Sequence, residues 1–244
     1  MSLFIDLMYE RLADFFLENL NLSVSTILEV GCGMGSLTIP LARKIAKYTD
    51  KPRIIALDLS YGPYAGILDV LRKKVNETSL ENKIDVVQND VRNMTSISNE
   101  SIDLIISSEL LCDLDRDGLE MASKEFYRIL KPGGQMGHGE LNPIPANKAQ
   151  QLFIDADKHS LETATPKPQW FSPCADEVAI ILHKTGFRNI FVKYFDPKIS
   201  LPFEEAKLML KKWNVDLDFI KKHDRELRKH GIEFPLEHVI FCNK

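Results

Sequence analysis

Short apolar runs rich in β-branched residues alternate with longer segments of helical periodicity, and this constrains the fold more than any other feature of the chain. "TILEV" (26–30) precedes "SLTIPLARKIAKY" (36–48), and "RIIALDL" (53–59) precedes "YAGILDVLRKKVNE" (64–77). "KIDVVQND" (83–90) leads by a polar loop to "SIDLIISSEL" (101–110), and "GLEMASKEFYRIL" (118–130) follows. "KPGG" (131–134) then reads as a sharp stop after a helix whose last turn carries Arg128 and Lys131, with "QMGHGEL" (135–141) as the fifth strand. Strands that are apolar almost throughout are buried on both faces. Joined in this way by helices, they predict an α/β fold with a doubly wound, mostly parallel sheet covered by helices on both sides. Ligands bind such sheets beyond the carboxyl ends of the strands, where the strand order reverses.

Flanking segments are less regular. Leu3, Leu7, Met8, Leu12, Phe15, Phe16 and Leu20 fall near one helical face, while Asp6, Glu10, Asp14 and Glu18 make the polar face acidic. This predicts a docked N-terminal helix (1–22) rather than a signal peptide or a helix lying on an anionic membrane. No apolar run approaches the ~18 residues of a membrane span. Residues 142–175 are rich in proline and polar residues. "ADEVAIILHKTGF" reads as a helix ending at Gly186, and "NIFVKYFD" as a sixth strand. Residues 197–236 read as one or two charged amphipathic helices before a final strand, "EHVIFCN". With no repeat and no flexible linker, the expectation is one domain over 1–244, with a ligand-binding core at 23–141 and substrate-side insertions at 142–175 and 197–236.

With a net charge of −4 the chain offers little for gripping a phosphate backbone, so nucleic acid is a disfavoured partner. Four scattered cysteines without a CxxC pair match neither a metal site nor a disulfide framework, and suggest a reducing cytoplasm.

"ILEVGCGMGS" (27–36) carries the first chemical signal. A strand running into a glycine-rich turn and then a helix presents backbone N–H groups beside a positive helix end. The spacing is G-x-G-x-G followed by Ser36, where the dinucleotide fingerprint requires G-x-G-x-x-G. "IIALDLS" places Asp58 at the end of the second strand, where a carboxylate can accept from both hydroxyls of a ribose. The third strand ends in Asp90 and the fourth in "SSEL". After "LSYGP" delays the next helix, Ser60 is the expected helix cap. Cys32, inside the glycine turn, reads as a small filler rather than a nucleophile.

Taken together, "ILEVGCGMGSLTIPLA", "IIALDLS", "VVQNDV", "SIDLIISSELLCDL" and "ILKPGG" resemble the class I S-adenosylmethionine-dependent methyltransferases. The resemblance covers residues 26–140 well and the last two strands more loosely. It implies a seven-stranded sheet whose last strand inserts antiparallel next to the sixth, and S-adenosylmethionine as cofactor with S-adenosylhomocysteine as product. Gly31, Gly33 and Gly35 would form the cofactor turn, the first two approaching the methionine part, whose end Glu29 would orient. Asp58 would hold the ribose, Leu59 would cover one adenine face, and Asp90 would accept from the adenine amino group beside Val91. Ser107 would line the methionine moiety.

The acceptor is less legible. "SSEL" lacks the Asn/Asp-Pro-Pro-aromatic motif of relatives that methylate nucleobase or glutamine amines. On the fifth strand Met136, His138 and Glu140 share one face, making Glu140 and His138 candidate bases, while Gly137 and Gly139 mark close helix packing or space for a ligand. Tyr9, Phe153, Trp170, Phe171 and Trp213 can wall an apolar acceptor pocket or belong to the core. Lys211, Lys221 and Arg228 alternate with acids, as on a solvated helix face. The expected reaction is methyl transfer to a small molecule. Its rivals are a nicotinamide-dependent dehydrogenase and a non-catalytic binding subunit on the same fold.

Overall fold

A computed structural model of the protein describes residues 3–21, 23–47, 53–164 and 173–244. The chain runs α1 (Leu3–Asn19), β1 (Thr26–Val30), α2 (Thr38–Ile45), β2 (Arg53–Asp58), α3 (Ile67–Glu77), β3 (Ile84–Gln88), β4 (Ile102–Ser108), α4 (Arg116–Ile129) and β5 (Leu130–Leu141). It continues with α5 (Lys148–Thr163), α6 (Ala175–Thr185), β6 (Arg188–Phe195), β7 (Ser200–Leu201), α7 (Phe203–Lys212), α8 (Leu217–Lys222), α9 (Asp224–His230), β8 (Ile232–Glu233) and β9 (Glu237–Asn243).

Seven strands form one sheet in the order β3-β2-β1-β4-β5-β9-β6. All pairs are parallel except those of β9, which runs antiparallel between β5 and β6. Strand order reverses between β1 and β4, so the switch point lies over the ends of these two strands. Alternation along each strand divides the core. Ile27, Leu104, Ile106, Val239 and Phe241 pack with α1, α2 and α3, and α5, α7, α8 and α9 share that cluster. Leu28, Val30, Ile105, Met136 and Ile240 pack with α4 and α6 on the other face.

Three expectations change in detail. "KPGG" does not separate α4 from β5. The strand begins directly at Leu130, paired with Ile102, and an irregularity between Ile102 and Leu104 accommodates the extra residues. Gly133, at φ +76°, takes the backbone conformation this requires. The insertion 197–236 holds three helices rather than one or two, and a two-residue ladder between β7 and β8 brackets them. Each of these strands is too short for a periodic signal. Finally, Met8, Leu12, Phe16 and Leu20 of α1 are buried, but Leu7 faces solvent.

Gly137 answers to the packing of α1, and Gly139 to Glu237 of β9. A Cβ on Gly137 would stand 3.0 Å from the Phe16 ring and 3.2 Å from Phe241, so glycine lets the helix lie close on β5. Phe153 and Trp213 are core residues, their rings edge-on at 5.1 Å. Trp170 and Phe171 lie outside the described residues, as does Tyr48 at the end of the expected second helix. On the insertion, Lys221 pairs with Asp218, and Arg228 pairs with Asp224 while lying over the Phe203 ring at 4.1 Å. Among the described residues no helix is long and apolar enough to cross a membrane.

Candidate functional site

The carboxyl ends of β1, β2 and β4, with the loop after β3, surround a cavity of about 570 Å³. That volume falls within the roughly 300–1,000 Å³ of small-molecule sites. Its floor is the glycine turn. As β1 ends, the N–H groups of Gly31 and Cys32 both donate to Leu57 O at 2.9 and 3.1 Å, which folds the chain across β2. Gly31 has φ +70°, and a Cβ there would stand 2.9 Å from Leu110 in the loop after β4. The bare backbone lets that loop close over the turn.

Asp58 ties the floor to the wall. Its Oδ2 accepts from Gly33 N at 2.9 Å and its Oδ1 from Ser60 N at 3.0 Å. Each carboxylate oxygen has lone-pair capacity beyond one such bond, and Asp58 faces the cavity. Ser60, expected to cap a helix, instead takes φ +48° in this turn, and α3 starts only after Gly66. Leu59 and Val91 lie on the cavity wall. Asp90 is there too, but clasped by Arg92, whose Nε and Nη2 lie 2.9 and 2.7 Å from its oxygens. This contact holds the Asp90 carboxyl below the usual carboxylate range.

Glu29 is the unusual residue of the floor. It is 2% exposed, it lines the cavity, and its Oε2 has no hydrogen-bond partner among the described residues. Burial pushes its carboxyl up to about 8, with the Asp58 charge adding to the rise. A buried carboxyl oxygen without a partner is costly, and a cationic ligand group offsets that cost. The Cys32 thiol is raised by burial, so no thiolate is available in the turn.

Several expected site residues do not reach the cavity. Gly35 turns its back on it: a Cβ there would stand 2.4 Å from Leu71 of α3, so this glycine serves packing. Ser107 is fully buried, and the next residue, Ser108, faces the cavity instead, because successive strand residues point to opposite faces. Ser107 Oγ lies 2.6 Å from His138 Nδ1, and His138 Nε2 lies 3.0 Å from Glu140 Oε1. Glu140 Oε1 also accepts from Leu111 N at 2.6 Å and Cys112 N at 3.2 Å. A Ser-His-Glu order resembles a nucleophilic triad, but all three side chains are buried away from the cavity. Glu140 and His138 are therefore corrected from candidate bases to positioning residues that hold the loop after β4.

Sequence reasoning missed that loop. Glu109 lies on the cavity with φ +50°, and its Oε2 accepts from the Tyr9 hydroxyl of α1 at 3.2 Å. Glu109 is an exposed residue on the cavity, and its carboxyl is pushed up to about 7 by desolvation and then by Glu140. Asp113 accepts from Tyr64 at 3.1 Å and is raised to about 6, mainly by burial. Tyr9 and Glu109 are a hundred residues apart in the chain, so no local pattern announces the pair. Among the described residues no cluster of His, Cys, Asp and Glu is arranged to hold a metal ion.

Raised carboxyls invert the usual pH dependence. Glu29 binds its proton more tightly folded than unfolded, so its contribution is fully present below pH 4.5 and is lost as pH rises through about 8. Asp113 acts in the same direction, and Glu109 does so more weakly because water screens an exposed group. Thermal melts of the ligand-free protein should therefore fall between pH 5 and 8, by up to about 1.4 kcal/mol per pH unit for each retained proton. A Glu29→Gln variant should flatten that slope.

Residues 27–134 match the family described as "Methyltransferase domain". The chain is 29% identical over 180 residues to a demethylmenaquinone methyltransferase of Lactobacillus johnsonii, an alignment covering 68% of each protein. It is 34% identical over 136 residues to a malonyl-[acyl-carrier protein] O-methyltransferase of Priestia megaterium, covering 52% of this chain but 44% of that protein. The chain thus spans about two thirds of the first relative and less than half of the second. In fold it is similar to the crystal structure of a SAM dependent methyltransferase from Archaeoglobus fulgidus, with TM-score 0.59 and 15% identity over 97% of this chain and 94% of that one.

Proposed function

We propose that the chain is a class I S-adenosylmethionine-dependent methyltransferase, a reading supported by the methyltransferase-domain match over residues 27–134 and by the demethylmenaquinone methyltransferase relative, and that it methylates a small-molecule acceptor by in-line displacement. The observation that carries this reading is the pairing, in one cavity, of the Asp58 clasp with the unpartnered Oε2 of the buried Glu29. Such a donor brings a ribose and an ammonium, which these two groups suit. The residues present fit it.

In this reading Asp58 accepts from the ribose hydroxyls while its own geometry is held by Gly33 and Ser60. Leu59 and Val91 flank the adenine, and Asp90, oriented by Arg92, accepts from the adenine amino group. Gly31 and Gly33 let the backbone approach the methionine part, and Glu29 orients its ammonium. Bound there, S-adenosylmethionine supplies a methyl group already activated on a sulfonium. The chain's own task is then to hold the reacting atoms collinear and to exclude water. No nucleophilic side chain is required, in keeping with the buried state of Ser107 and His138.

The division of labour is part of the proposal: 23–141 holds the donor, and α1 with the insertions at 142–175 and 197–236 shapes the acceptor side. Asp157 of α5 raises the Glu109 carboxyl, which supports an acceptor side close to that insertion. A cytoplasmic setting is also proposed, supported by four cysteines that all stand unpaired.

Calorimetry with S-adenosylhomocysteine and with NADH tests the donor half. S-adenosylhomocysteine should bind and NADH should not. NADH binding alone would indicate a dehydrogenase, and binding of neither a subunit that has lost its donor. Incubating metabolite extracts with radiolabelled methyl donor should label a small product; label appearing only in macromolecules would overturn the acceptor class.

A further inference from the structure

Beyond Glu29 and Asp58, the cavity carries negative charge that the donor does not match. Glu109 lines it from the loop after β4, in a left-handed conformation unusual for a residue with a side chain and held by its N–H on Gly139 O at 2.9 Å. Tyr9 closes over it from α1. Behind the pair stands Glu237, at the start of β9. It is 1% exposed, and neither of its carboxylate oxygens has a partner among the described residues. Gly139 makes room for it, since a Cβ there would stand 2.9 Å from Glu237 Oε2. Glu109 and Glu237 interact electrostatically with each other, and both act on Tyr9.

Counter-charge is scarce. Among the described residues lining the cavity the one basic side chain is Arg92, and it is committed to Asp90. Glu140 is already bound by two backbone N–H groups and His138. The donor carries a sulfonium, an ammonium and a carboxylate, a single net positive charge that Glu29 and Asp58 face. Asp113 accepts from Tyr64, and burial pushes the enclosed Glu237 carboxyl well above the usual range, so that it keeps its proton. This leaves Glu109, on the cavity and bonded to the Tyr9 hydroxyl, as a carboxylate for which the donor brings no counter-charge.

We propose that the acceptor is a protonated aliphatic amine seated against Glu109 beneath the Tyr9 hydroxyl, and that Glu109 takes the amine's proton before transfer. This rests on the methyltransferase reading and deepens it. The Glu109 carboxylate accepts one proton from the ammonium and becomes a carboxylic acid, leaving a neutral amine. The freed lone pair forms the N–C bond to the methyl as the C–S bond breaks, its electron pair returning to sulfur. Positive charge passes from sulfur to nitrogen, and Glu109 later releases its proton to solvent. Glu109 is thus a catalytic residue, whereas Tyr9, which donates to it, is a positioning residue.

The test uses the full chain saturated with S-adenosylhomocysteine, titrated calorimetrically with n-butylammonium chloride and, separately, with 1-butanol. The ammonium should bind and the alcohol should not. Glu109→Gln, nearly the same shape without the charge, should weaken ammonium binding roughly tenfold or more, the scale of one hydrogen bond to a charged group. Equal binding of the alcohol, unchanged ammonium binding in Glu109→Gln, or no ammonium binding to a protein that does bind S-adenosylhomocysteine would each overturn the proposal. Failure of S-adenosylhomocysteine itself to bind would remove the parent reading and this inference together.

Discussion

Replacing Asp58 by alanine should reduce the affinity for S-adenosylhomocysteine by about two orders of magnitude or more. The carboxylate has two tasks that the methyl of alanine cannot perform. It accepts from Gly33 N and Ser60 N, which aligns the glycine turn with the turn after β2. In the proposed complex it also accepts from the ribose hydroxyls. Hydrogen bonds to a charged group contribute about 1.5–3 kcal/mol each, and two of them amount to roughly a hundredfold or more. Asparagine should rescue little, because its NH₂ would face one of two backbone donors that both need an acceptor. The fold should survive in both variants, since Asp58 sits at a strand end facing the cavity and not in either apolar cluster. Calorimetry beside a thermal melt separates the two effects. Undiminished affinity in a folded Asp58→Ala protein would remove Asp58 from the donor site.

Gly35→Val should instead act on the fold. Gly35 has φ +82°, and a Cβ would meet Leu71 Cδ1 at 2.4 Å. Leu71 is fully buried on α3 and has nowhere to move. The left-handed conformation costs a side-chain-bearing residue about 1–2 kcal/mol, and forcing atoms into a packed core adds about 1–3 kcal/mol. At roughly 2–4 °C per kcal/mol for a chain of this size, the midpoint should fall by about 5–15 °C. Gly33→Ala makes the instructive contrast. Its Cβ would have only Ile67 nearby, at 3.6 Å, and would project toward the cavity. That variant should lose only the left-handed cost of about 1–2 kcal/mol, melting well above Gly35→Val, yet bind S-adenosylhomocysteine more weakly. Equal melting of Gly35→Val and the parent would mean that α2 and α3 pack differently around the turn.

What the sequence disclosed follows from the range of each signal. Strands such as "TILEV" and "RIIALDL" are apolar because both faces are covered, and this is visible within five to seven residues. Glycine turn, Asp58, Leu59 and Val91 cluster because they follow strand ends, whose common edge is a consequence of parallel topology. The errors arose where one residue of pleat decides the outcome. Ser107 and Ser108 are chemically identical, and only the register of β4 sends the second to the cavity and the first to His138. Glu140 lies at the carboxyl end of β5 as expected, yet its face is the one covered by α4 and α6. Glu109 stayed hidden for another reason. Its meaning depends on Tyr9, a hundred residues earlier in the chain, and on a left-handed backbone at a residue type that does not advertise one.

One structure would test the central claim most directly: the protein crystallised with S-adenosylhomocysteine and refined with the ligand in the cavity at the β1–β4 switch point. Both ribose hydroxyls should lie within hydrogen-bonding distance of the Asp58 carboxylate, with the amino group of the homocysteine on the side of Glu29. An empty cavity at saturating ligand, or a ribose held by any other group, would contradict the account.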